Sequence, residues 1–442
     1  MKRNSRSGKK VKKMQTLTKA DFTDIAELQK LIDEAETPRE KAAKEFIIEA
    51  FKGRMLSLIL FAFQNESVQN VASYLLKYTK SKNKATLYQY VFGVYRFCQW
   101  LGKSPDDIIG EVKSNEKTID DYINAVDSFN GDLQAEDLAS GTINNYVKGV
   151  KALFRTNGST LVLPYRIPKY VKFPDRAPTP EELLKIIEIA PIKGKIVVSI
   201  LALSGVRIGT LVELTYRHVK QDLESGQIPV HIHVEADITK GKYGAYDTFL
   251  GAEAVQYLKA YLDMRRKGTE RIPSEVLADD SPLIRNECRN TVLPVSGASI
   301  STLVHDLLFK AGIIVKGEAK RYPVRPHSLR KYFETQLTRL GIPKDYVDYM
   351  MEHAISTYNS VDIEYLRKLY SSSGLSIRPK TELSKIERLK MFAESLELNP
   401  DEVLTKDALA MPHRTVVNPE ARKIEVLNEA LKQAILKELR NA

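Results

Sequence analysis

Along most of this chain apolar residues recur every three or four positions, the spacing of amphipathic helices, and only one stretch alternates as a strand would. In KATLYQYVFGVYRFCQWLG, Leu87, Val91, Val94, Tyr95, Cys98 and Leu101 fall on one helical stripe. SGTINNYVKGVKALFRTNG repeats the device with Ile143, Val147, Val150 and Phe154. Upstream, TKADFTDIAELQKLIDEA and TPREKAAKEFIIEAF carry helical spacing behind Thr18 and Thr37 as N-caps, and Ser104 opens another helix at SPDDII. GKIVVSILALSGVRIGTLVELT reads as a buried helix, a turn at Gly205 and a second helix. IPVHIHVEADITKGKYGAYDTFLG alternates around a Lys-Gly-Lys turn and predicts two or three strands. Helices resume at GAEAVQYLKAYLDMRRKG, continue to about residue 370, break at GLSIRPKTE and return in the tail. There Asn418 caps a helix, Pro419 takes its first position, and Ile424, Leu427, Leu431 and Ile435 form a stripe fit for a core or a partner helix.

The pattern predicts a mainly α protein with a small antiparallel β-sheet in an α+β domain. Its sharpest interruption is LPYRIPKYVKFPDRAPTPEELLKII, where Pro164, Pro168, Pro174, Pro178 and Pro180 each disfavour helix at the preceding residue. The expected division is a basic arm with N-terminal helices over 1–63, a helical bundle over 64–160 and a linker over 161–178. An α+β domain over 179–375 and a helical extension over 376–442 follow. A chain of 442 residues is long enough for two or three such domains.

Charge adds a partner class. Lys plus Arg number 67 against 56 acids, a net +11, which suits a polyanion. On the second bundle helix, Lys148, Lys151 and Arg155 lie outside the apolar stripe and are candidates for DNA phosphate contacts. The N-terminal MKRNSRSGKKVKK is basic with no apolar run behind it, so it reads as a phosphate-touching arm rather than a secretory signal. Cys98 and Cys288, the two cysteines, cannot build a disulfide framework or a four-thiolate zinc site, which fits a reducing, cytoplasmic setting. The longest apolar runs, MLSLILFAF and IVVSILALSGV, are too short to span a bilayer, so no membrane partner is expected.

Certain polar residues sit where packing would not ask for them. Arg207 follows a glycine turn between apolar segments, and Lys240 and Lys242 flank the hairpin glycine. RPHSLR places His327 and Arg330 one helical turn apart behind Pro326. His353 precedes Tyr358 by five positions. This set lacks the clustered carboxylates of a divalent-metal site and the glycine loop of a nucleotide site, so neither metal nor cofactor is expected. Two guanidiniums suit the non-bridging oxygens of a phosphodiester and the extra charge of its transition state. A tyrosine, with a free pKa of about 10, becomes a nucleophile at phosphorus when nearby cations and a base help its ionisation. A lysine on a mobile turn can protonate the departing oxygen. Together the residues describe metal-free phosphoryl transfer to tyrosine. His231 and His233, on one strand face, have no third ligand nearby in sequence and are read as structural. Tyr88, Tyr90, Tyr95 and Trp100 have helical spacing and are read as core rather than base-stacking residues.

Four segments, LSGVRIGTLVEL, TKGKYGAYDTFL, RPHSLRKYFETQL and EHAISTYNSVDIEYLRKLY, in that order, resemble the tyrosine site-specific recombinases. ISTYNSVDIEYLRKLYSSSGLSIRPKT is closest in flavour to integrases of archaeal viruses and plasmids, mobile genetic elements. The likeness covers about residues 80 to 372. It implies a DNA-binding bundle followed by a catalytic domain, holding duplex DNA between them. It implies that Arg207 and Arg330 bind the scissile phosphate and that Lys240 is the general acid toward the 5′-hydroxyl, with Lys242 beside it. His327 would assist the tyrosine proton, His353 would hydrogen-bond the phosphate, and Tyr358 would form a 3′-phosphotyrosyl link without metal or ATP. Strand exchange would need a homotetramer on double-stranded DNA in the nucleoid. A helix after the nucleophile would pack on the next subunit.

The sequence departs from that pattern in three places. Glu352 stands where the family usually has glycine, Thr210 where it usually has an acid, and the spacing from His353 to Tyr358 is short. The short spacing keeps Tyr365 and Tyr370 as alternative nucleophiles, and leaves open attack on a neighbouring subunit's site. A type IB topoisomerase, or a DNA-binding relative without catalysis, are the alternative readings.

Overall fold

A computed structural model describes residues 32–33, 35, 37–51, 56–79, 83–168, 170–242, 244–270, 272–317, 321–353 and 362–378. The helices expected behind Thr18 and Asn418, the basic arm and Tyr358 lie outside these residues. The chain forms two compact units, one ending at Pro174 and the other beginning at Asp175.

The first unit is all helical: α1 (Pro38–Phe51), α2 (Leu56–Phe63), α3 (Glu66–Tyr78), α4 (Lys84–Leu101), α5 (Pro105–Lys113), α6 (Ile119–Ala135) and α7 (Ser140–Thr156). Thr37 starts α1 by accepting from the Glu40 N–H at 3.1 Å. Ser104 and Thr118 start α5 and α6 with reciprocal capping boxes closed by Asp107 and Asp121. One core gathers Ala43, Ile47 and Phe51 of α1 with Val91 and Val94 of α4 and Ile143, Val147, Val150 and Phe154 of α7. The N-terminal helices α1 and α2 therefore share the core of the bundle that follows them.

At the centre of the bundle α4 lies on α7. Gly93 and Gly149 make that approach possible: a Cβ on Gly93 would stand 2.6 Å from the Tyr146 Cα, and one on Gly149 would stand 2.3 Å from the Tyr90 carbonyl oxygen. Backbone cannot yield to a methyl as a flexible side chain can. Gly149→Ala is expected to destabilise the unit by about 1–3 kcal/mol. By contrast Gly131→Ala, in α6 with nothing within 4 Å of its added carbon, is expected to raise stability by roughly 0.5–1 kcal/mol. Urea unfolding of the two variants against wild type checks both signs. Tyr88, Tyr90 and Tyr95 pack partly buried against this core, and the Trp100 ring lies against Phe97 and Phe129 with its N–H donated to Asp132 at 2.7 Å.

The second unit is mostly helical with a small antiparallel sheet. In chain order it holds α8 (Pro180–Ile189), α9 (Ile192–Leu203), α10 (Ile208–Glu213), α11 (Arg217–Ser225), β1 (Val230–Val234) and β2 (Tyr246–Leu250). Then come α12 (Ala252–Lys267), α13 (Gly297–Lys310), α14 (Pro326–Arg339), α15 (Lys344–Met350) and α16 (Ile363–Ser373). Helix α9 is the spine, buried from Ile196 to Leu203 and packed against α12, α13 and α14. It is apolar on every side because it is covered on every side. Among the described residues the sheet has two strands, paired from Val230 with Leu250 to Val234 with Tyr246. Strand β1 alternates buried and open positions, whereas β2 is buried throughout. The hairpin connection carries a 3-10 turn at Ala236–Ile238 and then Lys240 and Lys242, both exposed.

Among the described residues no helix is long and apolar enough to cross a membrane, and Cys98 is buried while Cys288 is exposed.

Candidate active site

Arg207 and Arg330 reach one place by different routes. The chain leaves α9, turns at Gly205 with φ +67°, and presents Arg207 as the residue that caps the start of α10. Arg330 comes from the first turns of α14, whose start is set by Pro326 and by the Arg325 N–H donating to Ser328 Oγ at 3.0 Å. Arg330 is 4% exposed. Its Nη1 donates to the Gly205 carbonyl and its Nη2 to the Met351 carbonyl. One guanidinium thus ties together the turn before Arg207 and the loop before His353.

Among the described residues no carboxylate pairs with Arg330. Burial, and next the Arg207 charge, push its pKa down to about 10. Arg207 is likewise lowered by burial, with the Tyr246 oxygen working the other way. A buried guanidinium beside a partly buried one makes a seat for an anion. Tyr246, 2% exposed on β2, is near enough to feel both: burial raises its pKa, while Arg330, the Thr210 hydroxyl and Arg207 lower it. Sequence reasoning did not single out Tyr246.

The anion in the structure is Glu352. One carboxylate oxygen pairs with the Arg207 guanidinium, and the other accepts the Lys240 backbone N–H at 3.1 Å. Lys240 is thereby held by its backbone at the edge of the arginine pair, with its side chain exposed. Lys242 has φ +57° and donates its N–H to Thr239 Oγ1 at 3.0 Å. Thr210, at the position where an acid was expected, is buried.

His327 stands exposed on the first turn of α14. Desolvation, and then the Arg330 charge, lower its pKa, while Asp175 opposes them. Its openness to solvent limits the effect, but the direction favours a neutral ring able to accept a proton. Asp175 is itself held by Arg325 at 2.8 Å and Lys331 at 2.6 Å. His353 is exposed too, and its Nδ1 bonds Asp348 Oδ1 at 2.9 Å, which leaves Nε2 for another partner. The structure therefore brings Arg207, Arg330 and the Lys240 turn together with Glu352 and Tyr246, sets His327 beside them, and hydrogen-bonds His353 to Asp348.

The two rival tyrosines differ. Tyr370 is 2% exposed and donates its hydroxyl to the Leu203 carbonyl at 2.7 Å. Burial raises its pKa. Tyr365 is 48% exposed and packs edge-on against Tyr346 with ring centres 5.7 Å apart. Arg367 anchors their helix α16 by bonding Asp222 at 2.7 Å and the Pro229 carbonyl.

A second polar hub lies on the sheet. Asp247 accepts from His231 at 2.7 Å and His233 at 2.8 Å on one oxygen, and from the Tyr349 hydroxyl on the other. The pair of histidines is thus engaged by a carboxylate, and among the described residues no group of three or more His, Cys, Asp or Glu side chains is placed to hold a metal ion. Burial would raise Asp247, but hydrogen bonds from His231, Tyr349 and His233 outweigh it and bring the pKa to about 2, from an ordinary 3.8. A depressed carboxylate stabilises the fold above its unfolded pKa and loses that contribution as pH falls through the folded one. Asp247→Asn is expected to cost roughly 2 kcal/mol at neutral pH. The gap from wild type should close between pH 3.8 and about 2, as measured by urea unfolding along a pH series. Because Tyr349 belongs to α15, which leads to Glu352, Asp247 fastens that loop to β2.

In the first unit, Lys148 and Arg155 are exposed on α7 with Lys151 partly so. Arg155 lies over the Tyr74 ring at 4.6 Å. With Arg39, Lys77 and Tyr78 it lines a hollow of about 670 Å³.

Residues 178–370 match the phage integrase family model, a span that includes Arg207, Lys240, His327, Arg330, His353 and Tyr358. No curated protein matches the chain by sequence. Among solved structures, XerA recombinase is 23% identical over 71% of this chain and 99% of its own, with a TM-score of 0.33. The Tn1549 transposon integrase in complex with transposon right end DNA is 18% identical over 67% of this chain and 96% of its own, with a TM-score of 0.46. A lambda integrase dimer bound to a COC′ core site is 17% identical over 66% of this chain and 98% of its own, with a TM-score of 0.42.

Proposed function

We propose that the chain is a site-specific DNA recombinase of the tyrosine type. The observation that carries this is the convergence of Arg207 and Arg330, far apart in sequence, into one anion seat at the Lys240 turn. The family match over 178–370 points the same way.

In this reading the scissile phosphate sits on Arg207 and Arg330, whose guanidiniums neutralise the charge added in the transition state. Tyr358 attacks phosphorus and breaks the bond to the 5′-oxygen. The phenolic proton passes to His327, whose lowered pKa keeps it a base at neutral pH. The Lys240 ammonium protonates the departing 5′-oxygen, and His353 donates a hydrogen bond to the phosphate. The product is a 3′-phosphotyrosyl ester and a free 5′-hydroxyl. The ester keeps the energy of the broken bond, so a 5′-hydroxyl from a partner strand reverses the step with neither ATP nor metal. Lys148, Lys151, Arg155 and Lys242 contact DNA phosphates. Exchange between duplexes takes four such sites, hence a homotetramer on a specific attachment site, at work in the nucleoid. The segment around Tyr358 resembles integrases of archaeal viruses and plasmids, which supports a recombinase of that kind.

The test is a nicked suicide duplex, from which the strand fragment after cleavage diffuses away and traps the covalent complex. Wild type is expected to become covalently linked to the 3′ end in the presence of EDTA. Failure to do so on its own attachment site would leave a DNA-binding protein without catalysis. Supercoil relaxation with no strand exchange would instead identify a type IB topoisomerase.

A further inference from the structure

Glu352 adopts φ +57°, a left-handed backbone that side chains rarely accept. Its side chain is only 14% exposed, and both oxygens are used, one on Arg207 and one on the Lys240 N–H. Nothing in the phosphoryl-transfer scheme employs it. Its chemistry matches what the arginine pair is built to receive. A carboxylate presents two oxygens on one centre, as a phosphodiester presents its two non-bridging oxygens, and either forms charge-assisted bonds to a guanidinium.

The geometry points to Glu352 as a resident counter-ion seated where the substrate phosphate binds, so that phosphate must displace it from Arg207. This rests on the reading of Arg207 and Arg330 as the phosphate site. The carboxylate offsets the charge of Arg207 while the site is free of DNA, leaving that of Arg330 uncompensated, and it latches the Lys240 turn to the loop before His353. An incoming phosphate takes over the Arg207 contact, and the same exchange releases the turn that carries Lys240. The enzyme is thus self-blocked by one side chain, and its phosphate affinity is the difference between two anions competing for one cation.

The experiment uses the full chain with Glu352→Gln, which keeps size and removes charge, and Glu352→Gly, which also suits the left-handed backbone. Isothermal titration with inorganic phosphate is expected to show both variants binding at least about tenfold tighter than wild type. Adding Arg207→Ala to Glu352→Gln should cancel the gain. On the suicide duplex at subsaturating DNA, both single variants should form covalent complex faster than wild type. Equal or weaker phosphate binding by both variants would overturn the proposal and make Glu352 a residue that merely orients Arg207. The two readings separate cleanly. Tighter phosphate binding without any covalent complex sustains the counter-ion and sinks the recombinase. Covalent complex with unchanged phosphate affinity does the reverse.

Discussion

Arg330→Lys is expected to slow covalent complex formation by about 10²–10³-fold, the usual loss when one preorganised transition-state donor is removed. Duplex affinity should change far less, because in the proposed complex it rests on many phosphate contacts besides this one. The reason lies in what the guanidinium touches. Nη1 and Nη2 bond the Gly205 and Met351 carbonyls, at the roots of the Arg207 turn and the Glu352–His353 loop. A lysine has one ammonium on a flexible stem and cannot hold two carbonyls in a fixed fork while also facing a phosphate. Arg330→Ala should fare worse, since it leaves both buried carbonyls without a donor, at a cost of about 1–3 kcal/mol for each group. Single-turnover cleavage, fluorescence anisotropy on the duplex and thermal unfolding separate the three quantities. If Arg330→Lys cleaved at the wild-type rate, the guanidinium would be a structural brace and the phosphate seat would have to lie elsewhere.

The helices were legible because burial in a bundle is one-sided. Leu87, Val91 and Val94, like Ile143, Val147 and Val150, mark the faces that meet the core. What periodicity could not show was which helix meets which. The clue was present in Gly93 and Gly149, small residues inside two strong helical patterns, but pairing them needs the fold. The site was legible in part. Arg207, Lys240, His327 and Arg330 stand out as polar residues in apolar or turn settings, and the order of four segments suggested that they meet. Glu352 was visible only as a departure from glycine, since its partners lie far away in sequence. Asp247 and Tyr246 were hidden for a different reason. Alternation assumes that one face of a strand is open, and β2 is buried on both faces. An aspartate there reads as a solvent residue when it is in fact the centre of a network.

Tyr358→Phe is expected to abolish the trapped complex, a loss of at least about 10⁴-fold, because in the proposed scheme the ring then lacks the attacking oxygen and the whole covalent route goes with it. Tyr370→Phe and Tyr365→Phe supply the contrast. The Tyr370 hydroxyl is fully buried and already donates to the Leu203 carbonyl, while burial raises its pKa. To act on phosphorus it would have to break that bond, lose a proton inside an apolar core and leave the helix face that packs on Phe249. Its phenylalanine variant should therefore keep cleavage and lose about 0.5–1.5 kcal/mol of stability. Tyr365 is open enough to reach a substrate, so exposure does not decide against it, yet its ring is packed on Tyr346 and its position on α16 is fixed by Arg367. Tyr365→Phe should leave both rate and stability close to wild type. Mass spectrometry of the trapped peptide identifies the modified tyrosine directly. A label on Tyr365 with cleavage intact in Tyr358→Phe would move the nucleophile onto α16. Since that helix is tied to α11 through Asp222, the chemistry would then require the phosphate to come to the helix, rather than the tyrosine to come to the arginines.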